Sequence, residues 1–573
     1  MKDRAIAAFC MAVSLSACSS DPAGTVATPA PTPTPSPTPT PTPIPTPTAS
    51  AYAPARGATA AYKDTRLQIS FDAPPTIGTA GTVRVYKADG TLVDTIDISG
   101  APVTAGGETQ TRYAAANTEV DQIGNNVANL TQYRFVYYRP VTVAGNVATI
   151  RLHDNVLDWS TAYYVTISDG VLRGTVGGTA FAGVSGTTGW TFTTKAAPAS
   201  QTAVTVDDDG TAADFRTVQG ALDWQMANGC TSCANTSSDK SITIRAGTYD
   251  EQLFLRNVNN LTIRGDSRQG SIVRYDNWEA FNPSTGGSRA AANTTLSAIG
   301  GNVALGTRRS LGGGRSVFLI EGGDNLRLTN FTLRNTHVKD AETNSQAETM
   351  YFNSAALTGA RLAATDMDFI STQDTVQVKG WVWFYNSLIA GDVDFVWGSP
   401  YAMLIENSEL RTVADTSAPT SGGYIFQSRA AKGYPGFVVL NSSLTSAAGV
   451  PTGATYLARS AGLYQAAGYC TTPLASGSLA NANIYCDNIA YINTRMGDHI
   501  ASVGWYTQPL PNLAPTATEG WRESGSTRLD GSPLDLSSRD RVNASTTIDL
   551  SGLASRATVF RQWNGGAGWA PMP

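Results

Sequence analysis

The sequence has few of the residues on which most hydrolases and metalloproteins depend. Its 573 residues include only three histidines, His153, His337 and His499. This scarcity argues against a multi-histidine metal site and leaves little material for a Ser-His-Asp hydrolase. The chain also contains no G-x-S-x-G motif, so the usual nucleophile elbow is missing. If the chain is a hydrolase, we expect it to use carboxylates.

Charged residues are scarce as well. Lysine and arginine number 40 and aspartate and glutamate 45, about 15% of the chain, with a formal net charge of −5. This weakly acidic balance gives no reason to expect a nucleic-acid partner, which requires clustered positive charge. The hydrophobic content of 42% is ample for a buried core, which excludes extensive disorder.

The N-terminus has the pattern of an export signal. Residues 1–17 combine a charged start with an apolar stretch that is too short to span a bilayer. Leu15-Ser16-Ala17-Cys18 resembles the bacterial lipobox, in which cleavage before the cysteine exposes it for lipid attachment. An ordinary signal cleavage nearby is the alternative. Because Ser19 follows, where aspartate would suggest inner-membrane retention, we expect an exported protein, either a lipoprotein anchored in the outer membrane through Cys18 or a protein of the cell surface or the extracellular space.

The next segment, residues 18–51, is a linker rich in proline and threonine. Ten of the 29 prolines lie between Pro29 and Pro47. Such a run forms an extended polyproline-type spacer, which would hold the rest of the protein away from the membrane.

Four cysteines lie beyond Cys18, namely Cys230, Cys233, Cys470 and Cys486. An even number in an exported chain favours disulfides. The C-x-x-C at 230–233 could also be a redox motif or half of a zinc site, although zinc would need two more ligands. We expect the pairs 230–233 and 470–486, while sequence alone does not fix the connectivity.

Two regions with different sequence patterns follow the linker. Residues 52–195 contain short alternating strands separated by Gly, Pro and Asp turns, a pattern typical of an antiparallel β-sandwich. This stretch resembles the bacterial Ig-like modules that precede secreted carbohydrate-active domains. It shows no catalytic constellation, so we expect a spacer or docking module.

From residue 200 to 573, short apolar segments recur with a polar residue at their centre. Asp366, Asn386 and Asn407 are spaced by 20 and 21 residues. A period near 20 predicts a solenoid, and the absence of L-x-x-L-x-L argues against leucine-rich repeats. The sequence therefore predicts an all-β protein with a right-handed parallel β-helix after the sandwich.

The aspartates Asp374 and Asp394 are also one period apart. In a parallel β-helix they would lie on the same face of neighbouring coils, about 4.8 Å apart. Two such close carboxylates do not both ionise easily, so one remains charged beside a cation while the other tends to be protonated. The pair could supply a nucleophile and a general acid; two solvated edge charges are the alternative.

Several ordered motifs in this region resemble those of pectin methylesterases, carbohydrate esterases on a parallel β-helix. They are QDT at 373–375, GDVDFVWG at 391–398, DFRTVQGALD at 214–223, ITIRAGTYDE at 242–251 and MGDHI..VGW at 496–505. The resemblance covers most of residues 200–540. It implies a pectinesterase that hydrolyses the methyl esters of polygalacturonate, so that methyl-esterified pectin, or homogalacturonan, would be its substrate.

The resemblance also implies a role for each matching residue. Asp394 would be the nucleophile, Asp374 the general acid and then base, and Arg459 the arginine that pairs with the nucleophile. Gln373 and Gln346 would stabilise the oxyanion with their side-chain amides. This chemistry needs neither a metal nor an organic cofactor, and nothing in the sequence requires more than a monomer.

The substrate contacts depart from the family pattern. The family usually has Gly-Arg-Pro-Trp around the arginine, whereas residues 458–461 read Ala-Arg-Ser-Ala, so that Ala461 replaces a tryptophan that contacts substrate. Trp397 and Trp383 are aromatic candidates for stacking on sugar rings. The alternatives are a related hydrolase of carboxylic esters or thioesters, a β-helix glycosidase or lyase acting on pectin, and a non-catalytic polysaccharide-binding lipoprotein.

Overall fold

The computed structural model describes residues 50–98, 103–105, 108–110, 120–127, 130–279, 281–282, 314–339, 345–461, 470 and 486–573. The expected signal segment 1–17, Cys18 and the linker up to residue 49 lie outside the described residues. Among the helices of the described ranges, none is both long enough and apolar enough for a membrane span.

Two sheets in residues 50–195, the N-terminal module, enclose a core of their own. Inward-facing residues alternate with exposed ones along the strands, and the core includes Leu67, Val85 and Trp190. One sheet is antiparallel throughout, and the other has a single parallel pair at its edge. The strands of the first sheet are Tyr52–Ala53, Leu67–Ser70, Val147–Ile150 and Val141–Ala144; those of the second are Ala58–Ala61, Thr191–Thr194, Ala162–Ile167, Thr82–Lys87 and Leu92–Asp97.

Four further strand pairs complete this part of the chain. Three are short antiparallel ribbons: Thr76–Ile77 with Leu172–Arg173, Thr175–Val176 with Thr179–Ala180, and Val103–Ala105 with Glu108–Gln110. The fourth, which we call the crossing hairpin, pairs Val120–Val127 with Leu130–Tyr137. Its buried residues Ile123 and Val136 belong to the core of the following domain and not to the core of the module. The sequence expectation of one sandwich over 52–195 did not anticipate this crossing.

The helix Val218–Asn228 packs on the crossing hairpin and on the first strands of the β-helix. Its N-cap residue, Thr217, accepts a hydrogen bond from the Gly220 N–H through its side chain. The carboxylate of Asp64, from the N-terminal module, accepts two further backbone N–H bonds there, from Arg216 at 2.9 Å and Thr217 at 2.7 Å. A carboxylate at a helix N-terminus is stabilising because it satisfies unpaired N–H groups and complements the helix dipole. The module therefore provides part of this helix cap.

The described residues that follow form a parallel β-helix, as the sequence predicted, and this helix has three faces. The first face holds Leu253–Arg256, Phe318–Glu321, Met350–Asn353, the first halves of Val376–Tyr385 and Val393–Glu406, Tyr424–Ser428 and Tyr456–Ser460. The second holds Ala203–Val206, Lys240–Ile244, Leu261–Gly265, Leu326–Thr329, Arg361–Thr365, the second halves of the same two long strands, Gly436–Leu440, Ile489–Ile492, Trp521–Ser524 and Ala544–Ser545. The third holds Gly247–Asp250, Ser271–Tyr275, Thr332–Asn335, Asp368–Ile370, Leu388–Gly391, Glu409–Thr412, Ser443–Ser446, Arg495–Met496 and Thr527–Arg528.

The recurrent polar residues form the turns between the second and third faces. Asp366, Asn386 and Asn407 have φ angles of 57°, 47° and 48°, a left-handed conformation that Asn and Asp tolerate better than other side chains. They also pair between coils, since the Asn386 Nδ2 donates to the Asp366 Oδ1 at 2.5 Å. The register of the strands that follow advances by 20 and then 21 residues, which explains the observed spacing.

The C-terminal residues end in short helical turns, Ser551–Leu553, Arg556–Val559 and Trp563–Gly566, which pack on the outside of the second face. Two disulfides are present in the described part of the chain. They join Cys230 to Cys233 and Cys470 to Cys486.

Candidate functional site

Two aspartates occupy equivalent positions on neighbouring strands of the first face. The pairs Gln373↔Val393 and Val376↔Val396 bracket Asp374 and Asp394 and place both in the same register. Each has a left-handed backbone, with φ of 61° and 49°, and the Asp374 N–H donates to the Val393 carbonyl at 2.9 Å. The two carboxylates are thus held side by side, as their 20-residue spacing predicts.

Asp394 is surrounded by donors. The Arg459 Nε donates to its Oδ1 at 2.8 Å, and the Arg459 Nη2 donates to its Oδ2. The side-chain amide of Gln427 donates to the same Oδ2 at 2.7 Å. A two-pronged guanidinium contact and an amide all favour the ionised carboxylate. The aspartate itself is buried, whereas the Arg459 side chain is 32% exposed and borders solvent.

Asp374 shares its arginine with other carboxylates. Its Oδ2 accepts a bond from the Arg315 Nη2 at 2.8 Å, but the same guanidinium serves two further acids. The Arg315 Nε donates to both oxygens of Glu348 at 2.8 and 2.7 Å, and its Nη1 to Glu279 at 3.0 Å. One positive charge is therefore shared among three acidic groups, all of which contact the same arginine.

These surroundings separate the protonation of the two aspartates. Burial raises the pKa of Asp374 well above its usual range; Arg315 offsets part of that effect, while Glu348 and Asp394 add to it. Burial also raises the pKa of Asp394, but Arg459 opposes this rise through its hydrogen bonds and its charge. At neutral pH the pair can therefore hold Asp394 as the anion and Asp374 as the acid.

The two predicted oxyanion glutamines flank Asp374. Gln373 precedes it directly, and the Gln373 carbonyl accepts from the Ala347 N–H at 3.2 Å. Gln346, one residue earlier on that neighbouring segment, uses its carbonyl to accept from the Glu279 N–H at 3.0 Å. The buried Oε1 of Gln346 has no hydrogen-bond partner within the described ranges. The oxygen of this side chain therefore does not support the described part of the fold.

Trp397 lies at the site, but its contacts differ from those expected. It pairs in register with Gln377 on one side and Gln427 on the other, on the same face as the aspartates. The indole is only 4% exposed, with the Arg429 guanidinium 4.7 Å and the Arg315 guanidinium 5.9 Å from the ring centroid. Its visible role is to hold these two cations by cation–π contact. A sugar ring could stack here only if an arginine moved.

Trp383 does not belong to the site, which corrects the sequence expectation. It is 0% exposed and packs in a cluster with Leu404, Leu553 and Phe560 on the second face. Its Nε1 donates to Glu406, and the Arg556 guanidinium lies 4.4 Å from the ring centroid. A side chain that is covered by the C-terminal turns has no surface left for a sugar.

A second charged cluster adjoins Asp394. The Lys339 Nζ donates to Asp392 at 3.2 Å and to Asp415 at 2.6 Å. Burial raises the pKa of Asp392 to about 7, although Lys339 opposes the rise. The hydrogen bonds of Asp415 with Lys339 and Ser417 overcome its burial and lower its pKa to about 2.

Sequence reasoning missed the residues that distinguish the two aspartates. Glu348 could have been noticed in the sequence, because it is an acidic residue two positions after Gln346 and just before a largely apolar strand. Arg315 and Gln427 carry no such signal. Gln427 follows its register partner Trp397 by 30 residues, so an insertion hides the period.

One acidic group that could bind a cation lies elsewhere in the described ranges. Asp207, Asp208 and Asp209 have carboxylate oxygens within 4.8 Å of one another, and no ion is present. Asp207 accepts from the Gly210 N–H and Asp208 from the Thr248 N–H, so the group takes no part in the contacts of Asp374 or Asp394.

The chain is similar to known pectinesterases. No family model matches it. Pectinesterases of Ralstonia solanacearum and of Ralstonia nicotianae are each 26% identical to it over 264 residues, which are 44% of this chain and 61% of each relative. The chain thus spans about three-fifths of the length of the curated relatives it matches.

Two solved pectin methylesterase structures align with this chain. The pectin methylesterase PemA from Erwinia chrysanthemi is 20% identical, with a TM-score of 0.44, and the match covers 65% of this chain and all of that one. A pectin methylesterase from carrot is 17% identical, with a TM-score of 0.45 and coverage of 64% and 94%.

Proposed function

We propose that this protein hydrolyses the methyl esters of polygalacturonate, releasing methanol and leaving pectate. The observation that carries the proposal is the pair of adjacent buried aspartates, Asp374 and Asp394, with opposite electrostatic surroundings. The similarity to pectinesterases supports the choice of substrate. No metal or organic cofactor takes part in the proposed reaction.

In the first half of the reaction, the Asp394 carboxylate attacks the C6 carbonyl carbon of a methylated galacturonate. The carbonyl π electrons move to oxygen, and the side-chain amides of Gln346 and Gln373 donate to that oxyanion. One such donor typically contributes about 2.7–4 kcal/mol to transition-state stabilisation. When the intermediate collapses, the C–OCH₃ bond breaks and Asp374 gives its proton to the departing methoxy oxygen. Methanol leaves and an acyl–Asp394 anhydride remains.

In the second half, Asp374 is an anion and can accept a proton from water. The hydroxide equivalent attacks the acyl carbon, the same amides hold the oxyanion, and the bond to Asp394 breaks. Asp394 returns as the carboxylate beside Arg459, and Asp374 is again protonated. Arg459 keeps its hydrogen bonds throughout, which assigns the nucleophile role to Asp394 and not to Asp374.

The roles proposed here differ from those in a retaining glycosidase, which also uses two close carboxylates. A glycosidase mechanism has no function for two amide donors beside the acid. The decisive assay supplies methyl-esterified polygalacturonate and measures both methanol and chain length. We expect methanol release with unchanged chain length. Shortened chains without methanol would indicate a hydrolase or lyase of the backbone. If neither methanol nor shortened chains form, an action on pectin is refuted.

We further propose that the protein is exported, lipid-anchored to the outer membrane through Cys18, and monomeric. The lipobox-like residues 15–18 and the proline-rich linker support the anchor. Mass spectrometry of the mature N-terminus should find acylated Cys18, and Cys18→Ser should lose membrane association on cell fractionation. An unmodified N-terminus within residues 19–30 in the wild-type soluble fraction would disprove the anchor.

Light scattering of detergent-solubilised protein, corrected for detergent mass, tests the oligomeric state.

A further inference from the structure

The N-terminal module reaches the acid side of the proposed catalytic site through a continuous hydrogen-bonded path. We propose that Arg139 and Asn282 are positioning residues, which hold Arg315 and Gln346 in place and thereby orient Asp374. The proposal rests on the function proposed above. It gives a catalytic part to a region that the sequence suggested was only a spacer or docking module.

The first step of the path joins the module to what we call the bridging turn, residues 276–279 with Phe281 and Asn282. At the end of the crossing hairpin, the Tyr137 N–H donates to the Asn282 Oδ1 at 2.7 Å, and its carbonyl accepts from the Asn282 Nδ2 at 3.0 Å. One side chain thus satisfies both backbone groups of Tyr137, as a strand partner would.

Arg139 makes a second set of contacts with the same turn. Its Nη2 donates to the Asp276 carboxylate at 3.0 Å and its Nη1 to the Asp276 carbonyl at 3.3 Å. The guanidinium also lies 4.6 Å from the ring centroid of Phe281 and 5.7 Å from that of Trp278. One side chain of the module therefore contacts three residues of the bridging turn.

The second step lies within the bridging turn and is fully buried. The Asn282 Nδ2 also donates to the Asn277 Oδ1 at 2.9 Å, and both asparagines are 0% exposed. The Asn277 Nδ2 in turn donates to the carbonyls of Gly314 and Ser316, at 2.8 and 3.1 Å. These two carbonyls flank Arg315, so Asn277 fixes the backbone on both sides of the arginine.

The third step reaches the reacting groups. Arg315, held at its backbone by Asn277, donates to Asp374 and to Glu279 of the bridging turn. The Glu279 N–H donates to the Gln346 carbonyl at 3.0 Å, next to the predicted oxyanion amide. Displacement of the turn would therefore move the acid's partner and one oxyanion donor together. Errors of about 1 Å in such positioning can lower turnover about 100-fold.

The test compares two arginines of the module that both contact the β-helix. Arg139→Ala removes the hydrogen bonds and ring contacts with the bridging turn. Arg66→Ala removes a hydrogen bond of 2.6 Å to the Asp250 carbonyl and serves as the matched control. We expect Arg139→Ala to lower kcat on methylated polygalacturonate about 10-fold with KM changed less than about 2-fold. Arg139→Lys, which keeps a cation beside Asp276, should recover much of the loss. Arg66→Ala should leave kcat unchanged.

Hydrogen exchange of the intact proteins provides a readout without substrate. In Arg139→Ala, and more strongly in Asn282→Ala, the amides of 314–318 and 345–350 should exchange faster than in the wild type or Arg66→Ala. Unchanged exchange or unchanged kcat in Arg139→Ala would overturn the proposal, as would an equal loss of kcat in Arg66→Ala. If the wild type releases no methanol, the proposed function fails, and the exchange comparison alone decides whether the module supports Arg315 and Gln346.

Discussion

Asp374 and Asp394 have the same side chain, the same register and the same left-handed backbone, yet different chemical environments. Asp394 receives a two-pronged arginine and an amide, whereas Asp374 shares one arginine with Glu348 and Glu279. The repeat of a β-helix thus supplies two equivalent positions, and the neighbours that project from other strands make them unequal. Burial raises the pKa of both aspartates, and the direct hydrogen bonds and the charge of Arg459 oppose that rise at Asp394.

The largest effect should come from removing the nucleophile. Asp394→Asn keeps the size of the side chain but removes the anion, so we expect at least about a 10³-fold loss of methanol release. Some stability should be lost as well, because the amide oxygen replaces only one of the two carboxylate oxygens and the amide NH2 then faces donors of Arg459 and Gln427. Purified variant and wild type should be compared by initial rates and by thermal unfolding. Turnover above a few per cent of wild type would remove Asp394 from the role of nucleophile.

A smaller loss should follow when Asp394 is deprived of its cation. Arg459→Ala should lower turnover and move the acid limb of the pH–rate profile to higher pH, because Arg459 opposes the burial-induced rise of the Asp394 pKa. Activity requires ionised Asp394, so a higher pKa means that activity is lost earlier as the pH falls. Arg459→Lys, the control, should shift the limb less. An acid limb at the wild-type position in Arg459→Ala would contradict this role.

Asp374 can be made more like Asp394 by removing a neighbouring acid. Glu348 raises the pKa of Asp374, so Glu348→Gln should lower that pKa and leave Arg315 more available to the aspartate. Since the first step needs protonated Asp374, the alkaline limb of the pH–rate profile should move to lower pH. Gln427→Glu makes the opposite change, because it adds an acid beside Asp394. The added acid should raise the pKa of Asp394 and so move the acid limb of the pH–rate profile to higher pH. A shift of the Glu348→Gln limb in the other direction would refute the assignment of Asp374 as the acid.

The smallest effect is expected at Trp397. Its ring is covered by arginines, so Trp397→Phe should keep the cation–π contact in weaker form and change KM less than about 3-fold. The measurement is a saturation curve on methylated polygalacturonate. A large rise in KM with unchanged kcat would show that the indole contacts substrate directly, as its place in the sequence motif suggests.

The sequence predicted the repeat well because the repeat depends on local turns. Asp366, Asn386 and Asn407 mark a left-handed turn in each coil, and the spacing of 20 carried Asp374 and Asp394 into register. The sequence wrongly assigned Trp383 to the site. At Gly380 the strand passes from the first face to the second and the register shifts by one, so that Trp383 lies on the second face and the aspartates on the first.

Long-range partners were beyond the reach of periodicity. Gln427 and Arg459 are neighbours in register but 32 residues apart, and Arg315 reaches Asp374 across 59 residues. The crossing hairpin was equally hidden, because an alternating strand pattern indicates that one side is buried but not which core buries it. These contacts depend on the packing of whole coils and not on any local preference.

The crossing hairpin also affects how the protein unfolds. Ile123 and Val136 of the crossing hairpin are packed with Val218 and Leu222 of the helix that follows the module, and Asp64 caps that same helix. Two regions joined only by a linker would melt independently, whereas a hairpin of the module that packs in the core of the β-helix couples the stability of the two regions. Calorimetry should therefore record one cooperative transition for the module and the first coils. For protein engineering, the functional unit starts at the module, and exchanging it for another sandwich would uncover the first coils of the β-helix.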